Sequence, residues 1–550
     1  MNYINETLFF TVVIWTLGVF ILAAYKRSKY FLHMMQLEEY KNNNFIKWTE
    51  KFSYKIYPRK IIINTGLTFI LTVVYVISSF ITKAQGIFIS FIIIWSILMV
   101  FTINFKKEKV KKDLVFTPKA KRLFAFSWIV YVIDIILDIF VLRLITDNVY
   151  FYPVLLLLMT INYLLADKVM YIANILIRPI ENKINRYYFD LAQDKMKSFN
   201  NLKVVGITGS VGKTTTKLIT STIINDKYKL LKTSESHNTK MEISKAINNK
   251  LSNDFEAFVV ELNGRKTGYI KELAKLTNPS IGVLTAIGPS HMESVNNIEN
   301  IMKTKYELIE ELPADGIAIF NYDDKYIKKL ADKTFKEKIL FGMKDLEKLD
   351  IYATDVKVNE KGSTFILNDN EDSIKCETKL LGKHNISNLL AGAAVAKALG
   401  FSLKDISKGI KKVKPAPHRL ELKDSGTEDI IIDDTFNSNL IGSKKALEII
   451  SKFERGRKII ITPGIIQLGE QEEKENKEFS KNIAKICNYS ILIGEKRTKP
   501  IYDGLVKEGF NEENIFVVNS LEDAKKRLQS IVKPKDVVLF ENHLPDNYKE

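Results

Sequence analysis

The sequence predicts an α-helical membrane region followed by two α/β units, and three observations carry that prediction. Five apolar stretches occupy residues 8–25, 61–82, 86–105, 123–145 and 150–166. From residue 203 onward, short apolar runs alternate with helical patterns, which argues for mainly parallel sheets with helices on both faces. At the head of that alternation, an apolar run at 202–207 leads into Gly206, Gly209 and Gly212, then into Lys213, Thr214, Thr215 and Thr216 and a helical run at 214–224.

The apolar stretches are close to the ~20 residues that a helix needs to cross a bilayer. The first has no basic flank before it and no small-residue cleavage site after it, so it is expected to remain as an anchor. The net charge of +17 and pI near 9.3 would suit nucleic acid or a membrane surface. Most of the excess lies before residue 204, in loops between apolar stretches, which favours the membrane and no nucleic acid. Lys26, Arg27, Lys29, Lys41, Lys47, Lys51, Lys55, Arg59 and Lys60 fill the first loop, and Lys106, Lys107, Lys109, Lys111, Lys112, Lys119, Lys121 and Arg122 the third. The positive-inside rule then puts the N-terminus outside and everything after about residue 167 in the cytoplasm. Asp134 and Asp138, four apart in the fourth stretch, share a helical face; either they meet a lipid head group or another subunit, or they pair with Arg143 or water near the outer end. Residues 168–202 read as an amphipathic linker along the inner face or as a plain connecting helix.

The glycines allow backbone N–H groups to surround phosphate oxygens, Lys213 can reach the β- and γ-phosphates, and the Thr214 hydroxyl a magnesium ion. Strict phosphate loops carry a glycine where Ile207 stands, so this is a variant loop. Further buried strands are expected at 257–262, 281–284 and 317–321, with ligands at their C-terminal ends. Glu261 closes one of them and His291 follows another; each is a candidate magnesium ligand or a structural residue. Cys376 and Cys487 stand far apart without partnering His spacing, so neither a disulfide framework nor a zinc site is expected. A boundary falls near 413, and strands at 430–432, 458–461, 489–493, 514–518 and 537–540 alternate with helices in a second, smaller unit. The expected division is thus 1–167, 168–202, 203–413 and 414–550.

Seven segments in this order resemble the Mur ligase family. They are Gly206-Ile-Thr-Gly-Ser-Val-Gly-Lys-Thr-Thr-Thr216, Glu261-Leu-Asn-Gly264, Ser290-His-Met-Glu293, Lys303-Thr-Lys-Tyr-Glu307, Asn321-Tyr-Asp-Asp324, Gly382-Lys-His-Asn-Ile-Ser-Asn388 and Ile432-Asp-Asp-Thr-Phe-Asn437. The likeness covers residue 203 onward and is greatest to the branch that joins D-alanyl-D-alanine to a UDP-linked muramoyl tripeptide. It implies a phosphate-loop central domain that binds ATP and a smaller Rossmann-like C-terminal domain. It also implies two magnesium ions and amide-bond formation through an acyl phosphate. Gly209, Gly212, Lys213, Thr214 and Thr215 then belong to the nucleotide loop, and Thr214, Glu261 and His291 to the metal set. Lys305 matches a lysine that the family carries as a carbamate, whose oxygens help to hold the second magnesium. His384, Asn385 and Asn388 match the segment beside the nucleotide base, and Arg419 and Asp434 match nucleotide contacts in the last domain. Lys213, His291 and Lys305 are the implied catalytic residues.

The departures concern the acceptor. Asn263 occupies a glycine position, Phe436-Asn-Ser-Asn-Leu440 lacks a proline, and Gln467 replaces an acidic residue in 462–469. Residues 540–548 stand where the branch has a lysine-glycine-serine-arginine turn, and the membrane region replaces the UDP-gripping domain. The expectation is a ligase of cell-envelope precursor synthesis at the plasma membrane, taking a UDP- or lipid-linked carboxylate and an amino acid or dipeptide, with membrane lipid as a partner. A poly-γ-glutamate type of synthetase, or a nucleotide-driven transporter or scaffold, is the alternative.

Overall fold

The computed structural model describes residues 6–81, 85–103, 113–145, 148–234, 238–264, 266–288, 298–423, 426, 428–436, 440–454, 456–466 and 471–542. The chain forms two compact units that meet in sequence between Ile184 and Asn185.

The first unit is helical: α1 (Glu6–Leu37), α2 (Asn42–Lys51), α3 (Ser53–Ile56), α4 (Arg59–Ile81), α5 (Gln85–Ile103), α6 (Pro118–Ile145), α7 (Asn148–Leu164) and the start of α8 (Ala166–Lys197). Thr7–Leu37, Arg59–Ser79 and Pro118–Ile145 are long and apolar enough to cross a membrane; Ile87–Ile103 is shorter, and α7 with α8 is a pair bent by 72°. The helix predicted at 8–25 thus runs on to Leu37, because no Gly or Pro stands between Tyr25 and Leu37 and Phe31, Leu32, Met34 and Met35 continue its buried face. Arg27, grouped by sequence with the loop charges, consequently lies inside α1 and is 1% exposed. Its guanidinium donates to the carbonyls of Tyr163 (2.9 Å), Leu164 (3.2 Å) and Ile56 (2.5 Å). Two of these are end-of-helix carbonyls that the α7–α8 break leaves without an intrahelical donor. Asp138 accepts from Asn162 Nδ2 at 3.2 Å. The helix α8 gives Met170, Ala173 and Ile177 to this unit's core, and Ala192 and Met196 to a core of the next.

The second unit begins with β1 (Lys203–Thr208), α9 (Lys213–Ile224), β2 (Leu230–Lys232), α10 (Lys240–Lys250), β3 (Ala257–Glu261), α11 (Tyr269–Thr277), β4 (Ile281–Leu284), α12 (Ile298–Glu310), β5 (Ile317–Asn321), α13 (Lys325–Asp332) and β6 (Lys338–Gly342). It continues with β7 (Ile351–Asn359), β8 (Gly362–Asn368), β9 (Ser373–Thr378), α14 (Lys383–Ala398) and α15 (Leu403–Lys412). Among the described residues the nine strands form one sheet in the order β2-β3-β1-β4-β5-β6-β7-β8-β9. Pairing is parallel as far as β7 and antiparallel across β7, β8 and β9. Strand β1 buries all but its first residue, as its Val-Val-Gly-Ile core dictates. Strand β1 has β3 on one side and β4 on the other, the chain having crossed to the edge strand β2 before β3, so the sheet's switch point opens at the C-terminal end of β1.

A second sheet holds β10 (Glu421–Lys423), β11 (Ile430–Asp434), β12 (Lys458–Thr462), β13 (Tyr489–Ile493), β14 (Ile515–Val518) and β15 (Val537–Glu541), in the order β10-β11-β15-β12-β13-β14. Helices α16 (Leu440–Ser451), α17 (Glu472–Ile486), α18 (Glu495–Lys507) and α19 (Leu521–Ile531) alternate with its strands. All pairs but β10–β11 are parallel, which gives the expected smaller α/β unit.

The four tryptophans, Trp15, Trp48, Trp95 and Trp128, all lie in the helical unit, so their fluorescence reports on it alone. Replacing Arg27 by Met should lower the stability of that unit by about 3 kcal/mol, since buried carbonyls lose a charged donor. Thermal or denaturant unfolding in detergent, followed by tryptophan emission, measures this, with far-UV circular dichroism tracking the α/β unit.

Candidate active site

Loop 209–212 is shaped by what lies against it. The Ser210 N–H donates to Ala286 O at 2.7 Å, and Thr285 Oγ1 donates to Val211 O at 2.6 Å, so the segment after β4 clasps the loop. A Cβ on Gly209 would run into the Thr285 hydroxyl. Gly212 has φ +87° and introduces α9, and a Cβ there would stand 2.6 Å from Asn388 Oδ1. Both positions therefore require glycine.

Lys213, on the first turn of α9, bends back so that Nζ donates to the carbonyls of Gly209 (2.9 Å) and Ser210 (3.2 Å). Thr214 Oγ1 donates to Glu261 Oε2 at 2.8 Å, and Asn238 Nδ2 to Glu261 Oε1 at 2.9 Å. Thr215 is half-buried on the same turn. Glu261, at the end of β3, is 1% exposed, and Lys217, one helical turn beyond Lys213, is fully buried with Nζ 3.7 Å from Glu261 Oε2. Burial pushes the Lys213 and Lys217 ammonium groups down, and the nearby Glu261 charge opposes this.

Lys305 projects from α12 into the same region, 5% exposed, with Nζ donating to Gly264 O at 3.1 Å. Burial and the neighbouring Lys213 charge lower its pKa to about 7, against the pull of Glu261 and Glu307. Glu307 fixes the intervening loop by accepting from the N–H groups of Gly268 (2.5 Å) and Lys271 (2.9 Å) at the start of α11. The charge of Glu307 is thereby spent on a helix N-terminus, where anions are stabilised.

On α14, Asn388 Oδ1 accepts from Thr216 Oγ1 at 3.3 Å and Asn388 Nδ2 donates to Asn385 Oδ1 at 3.2 Å, which ties this helix to the phosphate-loop helix. His384, half-buried on the first turn, has its pKa lowered to about 4 by burial and by Lys445, so its imidazole is neutral at pH 7. From the second sheet, Arg419 is near enough for its charge to act on Glu261, Lys213 and Lys217. Its guanidinium stacks on Phe436 at 4.3 Å. Asp434, at the end of β11, accepts from Leu420 N at 3.1 Å, and burial raises its pKa to about 6.

The structure thus brings Gly209, Gly212, Lys213, Thr214, Glu261, Lys305 and Asn388 around one strand end, with Arg419 in electrostatic reach. His384, one turn before Asn388 on α14, lies against Gly382, where an added Cβ would meet both its ring and Ile449 of α16. His291 and Gln467 lie outside the described residues. Sequence reasoning passed over Lys217, Asn238 and Glu307. None carried a local signal: Lys217 shares a largely polar helical face with Lys213, Thr214, Thr220 and Ser221, and Asn238 stands outside any regular element.

A phosphate-loop protein with two α/β sheets is the class that this geometry defines. Residues 207–396 match the Mur ligase middle domain, and residues 418–541 match the Mur ligase glutamate ligase domain. The chain belongs to the Mur ligase family. It is 27% identical over 339 residues to UDP-N-acetylmuramoyl-tripeptide--D-alanyl-D-alanine ligase of Bacillus subtilis (strain 168), covering 62% of this chain and 72% of that protein. With the ligase of the same name from Escherichia coli (strain K12) it is 27% identical, over 49% of this chain and 60% of that one. The chain thus spans less than two thirds of the E. coli relative's length. MurF ligase from Thermotoga maritima, solved in complex with ADP, superposes with a TM-score of 0.58 at 24% identity, covering 66% of this chain and 81% of that one. A MurF structure from Acinetobacter baumannii gives 0.60 at 22% identity, covering 65% and 77%.

Replacing Gly212 by Ala forces a Cβ toward Asn388 at a positive φ, which costs about 1–3 kcal/mol of backbone strain. The expected result is a measurable drop in the melting temperature of the α/β unit together with weakened ADP binding, read by calorimetry.

Proposed function

We propose that this chain is a membrane-anchored, ATP-dependent ligase of cell-envelope precursor synthesis, which activates a carboxylate as an acyl phosphate and joins it to an amino acid or dipeptide amine. The observation that carries this reading is the convergence of Thr214, Glu261 and Lys305 on the phosphate loop, with Arg419 of the second sheet in charge contact. Three helices long and apolar enough to span a bilayer support the anchor, and the basic flanks support an outside N-terminus and cytoplasmic α/β domains.

In this reading Gly209, Gly212 and Thr215 line the phosphates, and Lys213 leaves its loop carbonyls for the β- and γ-phosphates. Asn385, Asn388 and the neutral His384 face the base, and Arg419 and Asp434 contact the nucleotide from the other sheet. Thr214, Glu261 and Lys305 fit magnesium, being a hydroxyl, a carboxylate and a lysine whose pKa of about 7 leaves much of it as free amine at pH 7. A free amine can add carbon dioxide and become an anionic carbamate. Bound magnesium would supply charge neutralisation at the transferring phosphoryl group.

The substrate carboxylate attacks the γ-phosphorus and ADP departs. Lys213 and Arg419 offset the negative charge that would repel the nucleophile. The acceptor amine, losing a proton, then adds to the acyl carbon, and the tetrahedral intermediate collapses by expelling phosphate. The membrane region favours a lipid-linked or UDP-linked precursor held near the bilayer as the carboxylate donor.

An ATP-dependent ligation screen with membrane lipid extract, UDP-linked precursors and candidate amines tests this. Product should require the amine, and Lys213→Ala should lower the rate by ~10²-fold or more. Phosphate release with no requirement for an amine would refute ligase chemistry, and processive polymer would point to a poly-amino-acid synthetase. A second expectation concerns pH. Only neutral Lys305 can form a carbamate, so the rate should fall as pH drops below about 7, and ¹³C-bicarbonate should give a carbamate signal that Lys305→Ala lacks.

A further inference from the structure

The cations around Glu261 outnumber its charge. Lys213, Lys217, Lys305 and Arg419 all act on this carboxylate or are acted on by it. Lys213 and Lys305 already donate to loop carbonyls, and Arg419 arrives from the other sheet. Lys217 differs from all three. It is fully buried on α9, with its Nζ 3.7 Å from Glu261 Oε2 and 3.4 Å from the Thr233 hydroxyl. An ammonium buried in that place is costly unless an anion compensates it, and Glu261 is the anion it faces. The oxygen in question is also the one that accepts from Thr214.

We infer that Lys217 is a positioning residue that acts as the standing counter-ion of Glu261, so that a divalent cation enters this site with the nucleotide and not before it. The inference rests on the reading of Glu261 as a metal ligand. A metal on Oε2 would sit within a few ångströms of the ammonium, and in a buried site such like-charge repulsion is weakly screened. The polyphosphate of ATP reverses the balance by adding several negative charges among the four cations. Metal and nucleotide affinities are then coupled, each raising the other by the same factor. Because a nucleotide-free loop holds no competing cation in this scheme, Lys213 is free to keep its bonds to Gly209 and Ser210 until phosphate arrives.

The test is a Mn²⁺ titration of the full-length protein in detergent, followed by electron paramagnetic resonance of free Mn²⁺, with and without ADP. Wild type should take up little Mn²⁺ alone and bind it readily once ADP is present. Lys217→Met should tighten nucleotide-free Mn²⁺ binding by about tenfold or more. The double variant Lys217→Met/Glu261→Gln should lose that gain, which assigns it to this carboxylate. Tight Mn²⁺ binding by nucleotide-free wild type, or no gain in Lys217→Met, would overturn the inference. If Lys217→Met does not fold, Lys217→Gln, which keeps a donor toward Thr233 without the charge, decides by the same readout. Mn²⁺ binding is measured without any ligation, so a failed ligation screen and a failed counter-ion remain distinguishable.

Discussion

Glu261 accepts a hydrogen bond on each carboxylate oxygen, from Thr214 at 2.8 Å and from Asn238 at 2.9 Å, in a place where it is 1% exposed. A carboxylate so placed must be compensated, and the elements around it are arranged accordingly. Parallel pairing sets the ends of β1 and β3 side by side, with Ile207 opposite Glu261. That register delivers the phosphate-loop helix to the carboxylate, and α9 then presents Thr214 and Lys217 to it from successive turns. The clasp of Thr285 and Ala286 on the other side of the loop follows from the same sheet, since β4 pairs with β1.

The second constraint is that the site draws on two sheets. Arg419 belongs to the segment leading into β10, yet its charge acts on Glu261 and Lys213. Its position is fixed locally, by stacking on Phe436 and by the bond from Leu420 N to Asp434. The Arg419 guanidinium is itself pushed down by burial and held up by Glu261 and Asp434, so carboxylates of both sheets compensate one cation.

Much of this was legible in the residues. A glycine-rich loop between a β-branched run and a helix has few other uses, and the strands ending at Glu261, Leu284 and Asn321 announce themselves by short apolar runs. Less legible was the antiparallel arm of β7, β8 and β9. The alternation in 351–359 and the Gly362 turn speak for a hairpin, but nothing local says that it extends the same sheet instead of forming its own. Arg27 was misread for a related reason: a basic residue at the end of an apolar run looks like a flank. Its burial depends on carbonyls at Tyr163 and Leu164, more than a hundred residues away. Lys217 and Glu307 are invisible as functional residues for the same cause, since lysine and glutamate on helices are ordinarily solvated.

The segments that depart from the D-alanyl-D-alanine branch can be weighed by what they touch. Glu541 ends β15, is fully buried and accepts from Ser443 Oγ of α16 at 2.7 Å, and its register partner across the sheet is Asp434. The next residue, Asn542, donates from Nδ2 to Gly464 O and from its backbone N–H to Asp434 O. The strand end where that branch places a basic turn is here spent on holding β11, β15, α16 and the loop after β12 together. An acidic, internally bonded strand end cannot do for an acceptor carboxylate what a lysine and an arginine can. The change of residue type coincides in one chain with a helical region ahead of the phosphate-loop unit. Both departures leave the phosphate loop, Glu261 and Lys305 untouched, so the residues around the Glu261 strand end and those that differ from the branch are separate sets.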